Sequence, residues 1–205
     1  MENRNLIITL AIAALITVSV MTTGCTTNTS PSPTPASFQA KTNVSGNSAT
    51  TRSSAGFKIT YPKKYKTDQN DSTPVKLYVY LSPSNRIDAV AVGTDDSYTG
   101  NNATLYNVTT GYSDLITRSY ANLSVIAKEN TTLSGIPAFR LVYTGVLPVQ
   151  YTVGGKPTPQ GLKVNQVWTV KNGRVFSVTY KALKGDYNKY LPQAEQIMKT
   201  FRLTQ

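Results

Sequence analysis

One cysteine, no histidine and only ten acidic residues set the limits of this 205-residue chain. A single cysteine closes no intramolecular disulfide, so any folded part is held by its core and its hydrogen bonds. Without histidine, the side chain best suited to proton transfer near neutral pH is missing. The acids Asp68, Asp71, Asp88, Asp114, Glu129, Asp186 and Glu195 are scattered without a paired motif, and Ser134 and Ser177 lie outside any nucleophile elbow. No enzyme activity and no cofactor are expected. The few acids face 21 lysines and arginines, a formal net charge of +11. That balance favours polyanionic partners such as anionic lipid or acidic cell-surface polymer.

The place of the lone thiol follows from its upstream neighbours. Leu6 to Met21 reads LIITLAIAALITVSVM, an uncharged stretch after MENRN. Its length suits the apolar region of a signal peptide and lies at or below the lower limit for a spanning helix. Residues 1–24 are therefore expected to direct export. Thr22, Thr23 and Gly24 then lead into Cys25, an arrangement that resembles the lipobox of prokaryotic lipoproteins. There the cysteine is lipidated and becomes the mature N-terminus. Thr22 departs from that pattern, which has an aliphatic residue three positions before the cysteine. The alternatives are an uncleaved anchor extending to Gly24, or ordinary secretion. A nucleophilic Cys25 is disfavoured, since no histidine is available to activate it.

Residues 25–55 are dominated by Ser, Thr, Pro, Asn and Gly. Such a segment buries too little apolar surface to offset the entropy of ordering it, and reads as a flexible tether. Residues 56–205 are expected to form one domain. Asn-x-Ser/Thr sequons begin at Asn28, Asn43, Asn70, Asn102, Asn107, Asn122 and Asn130. They permit glycosylation in an exported protein, although a chain this rich in Asn, Ser and Thr generates sequons by chance.

Within the domain, Phe57, Ile59 and Tyr61 alternate as in a half-buried strand that Pro62 ends. Residues 75–82, 87–94, 125–133, 138–145 and 147–153 are further strand candidates, and 154–161 a flexible loop. Between 105 and 123 the apolar period becomes helical, through Leu105, Val108, Tyr112, Leu115, Ile116 and Leu123, with Thr104 placed to cap. Asn172-Gly173 suits a two-residue type I′ turn and predicts a long hairpin with Lys171 opposite Arg174. That register puts Trp168, Val170 and Val175 on one face and Val167, Phe176, Val178 and Tyr180 on the other. Two apolar faces require a sheet covered on both sides. Pro192 is placed to start a last helix whose buried stripe is Ala194, Ile197, Met198 and Phe201. The expected fold class is α+β, an α/β/α sandwich with a central, largely antiparallel sheet covered by helices on both faces.

The segments GFKITYPKKY, SGIPAFRLVYT, VNQVWTVKNGRVFSVTYKA and YNKYLPQAEQIMKTFRL resemble the PsbP-like superfamily, in particular its small exported members in bacteria and archaea. The resemblance spans most of residues 56–203 and implies the same α/β/α sandwich. Its best-known members are lumenal subunits of photosystem II implicated in retaining calcium and chloride, and this chain has no histidine to match the metal-contacting ones of plant PsbP. What the resemblance implies is a non-catalytic accessory or binding module on a membrane or envelope complex, lipid-anchored through Cys25 and facing the extracytoplasmic side. The alternative it implies is a module binding a small molecule or a calcium-like ion.

Two surface clusters bear on those readings. Asp95 and Asp96, beside Asn101 and Asn102, are oxygen donors of the kind calcium prefers, but their spacing fits a solvated turn better than a calcium loop. Lys63, Lys64, Lys66, Lys181 and Lys184, with Lys189, Lys199 and Arg202, could form one basic patch if the first strand lies near the last hairpin, although an ordinary solvated face is the simpler reading. The thirteen tyrosines are mostly expected to pack in the sheet. A pocket around Trp168 would favour a ligand, and an exposed apolar patch beside the hairpin a protein partner. The expected partners are membrane lipid and a membrane or cell-surface protein still to be identified, not nucleic acid, and the domain itself is expected to be a monomer.

Overall fold

The computed structural model describes residues 48–53, 56–98, 103–147, 152–153, 156–157 and 160–204. The expected signal peptide, Cys25 and the sequons at Asn28, Asn43 and Asn102 lie outside the described residues. The remaining sequon asparagines, Asn70, Asn107, Asn122 and Asn130, are all exposed.

The main sheet has seven strands, each antiparallel to its neighbour. It is built from β3 (Lys66–Gln69), β4 (Val75–Tyr80), β5 (Ala89–Asp95), β6 (Ala121–Leu133), β7 (Ile136–Leu147), β10 (Gln160–Lys171) and β11 (Arg174–Leu183). Their order across the sheet is β3-β4-β5-β11-β10-β7-β6. A second sheet pairs β1 (Ser48–Ser53) and β12 (Arg202–Leu203) on either side of β2 (Phe57–Pro62), and the short strands β8 (Thr152–Val153) and β9 (Lys156–Pro157) pair with each other. Helix α1 (Leu105–Ser119) precedes β6, and α2 (Tyr187–Lys199) follows β11.

The hairpin of β10 and β11 has the register read from its turn, with Lys171 opposite Arg174. Asn172 and Gly173 adopt φ of 51° and 75°, the left-handed pair that a type I′ turn needs. Alternate residues then go to two separate hydrophobic clusters. Val167, Phe176, Val178 and Tyr180 join Phe57, Ile59, Leu77, Val79, Val90 and Val92, together with Tyr187, Ala194, Ile197 and Met198 of α2. Trp168, Val164 and Val175 join Leu141 and Tyr143, together with Val108 and Ile116 of α1. A second hairpin, β6 to β7, turns through Ser134 and Gly135 at φ of 57° and 78°.

Several boundaries differ from the sequence reading. Strand β1 lies inside the segment expected to be a tether. Its backbone pairs along the whole of β2, from Ser48 opposite Pro62 to Ser53 opposite Phe57, so the folded unit begins upstream of residue 56. Helix α1 stops at Ser119, and Leu123 belongs to β6. Thr104 does cap it, its Oγ1 accepting from the Asn107 amide at 3.1 Å. Helix α2 starts at Tyr187, so Pro192 sits inside it and removes one backbone donor, and Phe201 lies just beyond its end. The end of α2 is tied to β2 through Thr200, whose Oγ1 accepts from Thr60 N at 2.8 Å and lies 2.7 Å from Thr60 O.

Two points of the fold tolerate little change. Gly145 on β7 lies under Tyr120, and a Cβ built there would meet Tyr120 Cβ at 2.8 Å, so only glycine lets that ring reach Tyr143. Asp88 is fully buried, and its carboxylate accepts from Leu183 N and from Asn85 Nδ2, both at 2.9 Å. These bonds fasten the loop between β4 and β5 to the end of β11. Asp88→Ala leaves the Leu183 amide without its acceptor, and a loss of about 2 kcal/mol is expected in urea unfolding.

Candidate functional site

The pairing registers bring the expected basic residues to one end of the main sheet. Lys66 on β3 is opposite Tyr80 on β4, Tyr80 is opposite Ala89 on β5, and Ala89 is opposite Lys181 on β11. At the usual strand spacing the two lysines of that row are about 15 Å apart. Lys63 and Lys64 occupy the turn into β3, closed by a 3.2 Å bond from Tyr65 N to Pro62 O. Lys184 follows β11, and the turn from Leu183 to Asp186 delivers the start of α2 and Lys189 to the same end. Lys63, Lys64, Lys66, Lys184 and Lys189 are exposed, and Lys181 is half-buried. Lys199 and Arg202 lie at the other end of α2 and are not part of this group.

Tyrosines alternate with these cations. Lys64 Nζ lies 5.2 Å from the centre of the Tyr65 ring, and Lys189 Nζ lies 4.8 Å from that of Tyr190. Tyr65 and Tyr190 both pack on the α2-side cluster. Arg86 stands 5.5 Å over Tyr80 and reaches Asp68 Oδ2 at 3.3 Å, the oxygen to which Tyr80 Oη donates at 2.7 Å. Tyr80 stacks on Tyr78 at 5.9 Å, with the rings nearly parallel. Between β3, Tyr80 and the loop carrying Ser82, Asn85 and Arg86 lies an open cleft of about 600 Å³. The sequence reading selected the lysines of this end but neither Arg86 nor Tyr80, because a lone arginine in a Ser-Asn loop carries no motif.

The acidic loop is engaged within the fold. Asp95 accepts from Ser97 N at 2.7 Å and from Tyr112 Oη at 3.1 Å, and Asp96 pairs with Arg174 at 2.5 Å. The candidates Asn101 and Asn102 lie outside the described residues, and no group of three or more metal-ligating acids or cysteines occurs among the described ones.

Trp168 belongs to the core. It is fully buried, packs against Tyr112 and Phe139 at 5.5 and 5.3 Å, and donates from Nε1 to Thr109 Oγ1 at 3.0 Å. Among the described residues the exposed large apolar side chains are Tyr106 and Leu115 on α1 and Val125 and Ile126 on β6. Among the described residues no helix is long and apolar enough to cross a membrane.

An α+β domain with a mostly antiparallel sheet, two helices and a lysine- and tyrosine-bearing end is the class defined so far. The family described as PsbP-like protein matches residues 8–201, and the chain belongs to that family. The solution structure of cyanobacterial PsbP from Synechocystis is similar, with a TM-score of 0.51 at 14% identity over 80% of this chain and 97% of that one. LpqN of Mycobacterium tuberculosis, described as involved in cell envelope biogenesis, gives 0.50 at 14% identity over 77% of this chain and 91% of its own. At that identity the likenesses show the fold. No curated protein matches the sequence.

The tyrosines give the domain a defined alkaline limit. Burial, and then the bond to Asp68, pushes Tyr80 up to about 12, and burial pushes Tyr187 up to about 12. Burial raises Tyr112, Tyr143 and Tyr180 as well. In the unfolded chain these groups ionise near 10. Between about pH 10 and 12 the unfolded state therefore binds fewer protons than the folded one, and stability falls as pH rises. The urea midpoint is expected to be level from pH 8 to 9.5 and to drop steadily above 10. A midpoint unchanged to pH 11.5 would contradict this.

Proposed function

We propose that this PsbP-like protein is a non-catalytic accessory module held at the extracytoplasmic face of the cell membrane by lipid on Cys25. Removal of residues 1–24 would leave Cys25 as the mature N-terminus. The domain is read as the α/β/α sandwich, α1 against the Trp168 cluster and α2 against the Tyr180 cluster. The observation that carries the proposal is the span of the family match, which starts at residue 8 and so takes in most of the apolar run and Cys25 along with the domain. The state of the acids supports a non-catalytic role. Asp68, Asp96 and Glu129 are paired with Arg86, Arg174 and Arg140, and Asp88 holds a loop. The envelope role stated for LpqN is compatible with this setting.

The cleft between β3 and residues 82–86 supports a second reading, a polar small-molecule site at the same end of the sheet. Its polar lining, with Asp68, Asn85, Arg86 and the Tyr80 hydroxyl, suits a hydroxylated or anionic ligand better than an apolar one.

Mass spectrometry of the membrane-extracted protein tests the anchor. An N-terminal peptide that begins at Cys25 and carries a lipid mass is expected, and Cys25→Ser should abolish that species. A peptide beginning at Met1, with Cys25→Ser still wholly in the membrane fraction, would establish an uncleaved anchor in place of the lipid.

A further inference from the structure

We infer that the basic end of the sheet is itself a membrane-docking surface for anionic phospholipid headgroups, a second contact beside the N-terminal anchor. The inference rests on the anchored reading above for its setting, and on three observations of the domain for its content.

The first is charge. The segments that converge at this end, residues 62–68, 80–89 and 181–190, contain Lys63, Lys64, Lys66, Arg86, Lys181, Lys184 and Lys189 against Asp68, Asp88 and Asp186. Of these acids Asp88 is fully buried and Asp68 is engaged by Arg86, which leaves six lysines against the half-buried Asp186, so the face is cationic.

The second is the interleaving of tyrosine with lysine. Tyr65 and Tyr190 are anchored by packing on the core, and each carries a lysine ammonium over its ring. Tyrosine suits the boundary between headgroups and water, where its ring and hydroxyl are both accommodated. Lysines beside it reach the phosphates, and basic side chains at an anionic surface are held there by its potential.

The third is where the chain enters. Ser48, the first residue of β1, lies opposite Pro62, the residue before Lys63. The segment that leads back to Cys25 therefore joins the domain at its basic end. A lipid-bearing Cys25 would be joined to that end through residues 26–47. Entry at the opposite end would have placed the length of β1 between the segment and these lysines.

Lysine footprinting tests this with the full chain on two vesicle types, neutral phosphatidylcholine alone and phosphatidylcholine with phosphatidylglycerol. On the anionic vesicles, acetylation of Lys63, Lys64, Lys66, Lys184 and Lys189 is expected to slow by about fivefold or more and to recover in 0.5 M salt. Lys128 on β6 and Lys171 at the far end of the hairpin should label equally on both. Lys63→Glu with Lys64→Glu and Lys66→Glu changes only exposed side chains and should abolish protection of Lys184 and Lys189. Equal labelling of the basic end on both vesicle types would overturn the inference, including the case in which an acidic protein is its true partner. The anchored reading is tested separately in the same samples, by whether the chain floats with neutral vesicles. Protection on anionic vesicles reads docking whether or not it does.

Discussion

The constraint on which the rest of this structure depends is that the β10–β11 hairpin is apolar on both faces. A strand pair of that kind cannot stand at the edge of a sheet or show one face to water without exposing Trp168 and Val175, or else Phe176, Val178 and Tyr180. It therefore occupies the middle of the sheet, with β5 on one side and β7 on the other. The type I′ turn makes the arrangement single-valued. A slip of one residue would exchange the two sets of side chains between clusters, and Asn172-Gly173 holds the register against such a slip. The two sheet edges show the opposite chemistry. Strand β3 is short and exposed throughout, and β6 carries two irregularities in its pairing and many polar residues. Both features discourage pairing with another chain.

What could be seen in the sequence was whatever rests on local chemistry. The turn, the hairpin register, the division of its side chains, the Thr104 cap and most strands follow from periodicity and turn residues. What was hidden rests on partners far along the chain. Strand β1, SATTRS, has the composition of a linker and becomes a strand only because β2 offers it a free edge. Strands β3 and β12 are short and mostly polar, with no period to recognise. The start of α2 differs from the local expectation, since proline favours the first turn of a helix, whereas here Tyr187 begins it. That residue is fixed by the bond from Tyr180 Oη to its carbonyl at 2.8 Å and by a ring contact at 4.8 Å. Tertiary contact overrode a sound local preference.

The basic end was half visible for the same reason. Lys63, Lys64 and Lys66 are a cluster in any reading of the sequence, but joining them to Lys181 and Lys184 requires knowing that β3, β4, β5 and β11 are consecutive in the sheet. Trp168 shows the other side of the same rule. The hairpin register alone places it on a covered face, and its indole is enclosed by Tyr112 and Phe139, with its one donor satisfied by Thr109. A fully buried ring with no free polar group can support a core but has nothing left to offer a ligand.

With Trp168 enclosed, the exposed charged side chains at the ends of the sheet are the candidates for polar recognition. The hairpin spends its apolar side chains on the two clusters, and the edge strands are built to discourage pairing. Strand termini and their turns remain, and the two ends of the sheet differ in charge balance. At the hairpin-turn end Asp96 is paired with Arg174, and Asp95 accepts a hydrogen bond from Tyr112. At the other end five exposed lysines outnumber Asp68, Asp88 and Asp186, of which Asp88 is fully buried and Asp68 is engaged by Arg86. Leaving like charges together costs stability through their mutual repulsion. An anionic surface relieves that repulsion. Because β1 brings the chain from Cys25 to the same end, the proposed lipid anchor would hold that relief within reach. Anchor and lysines would then act on one surface.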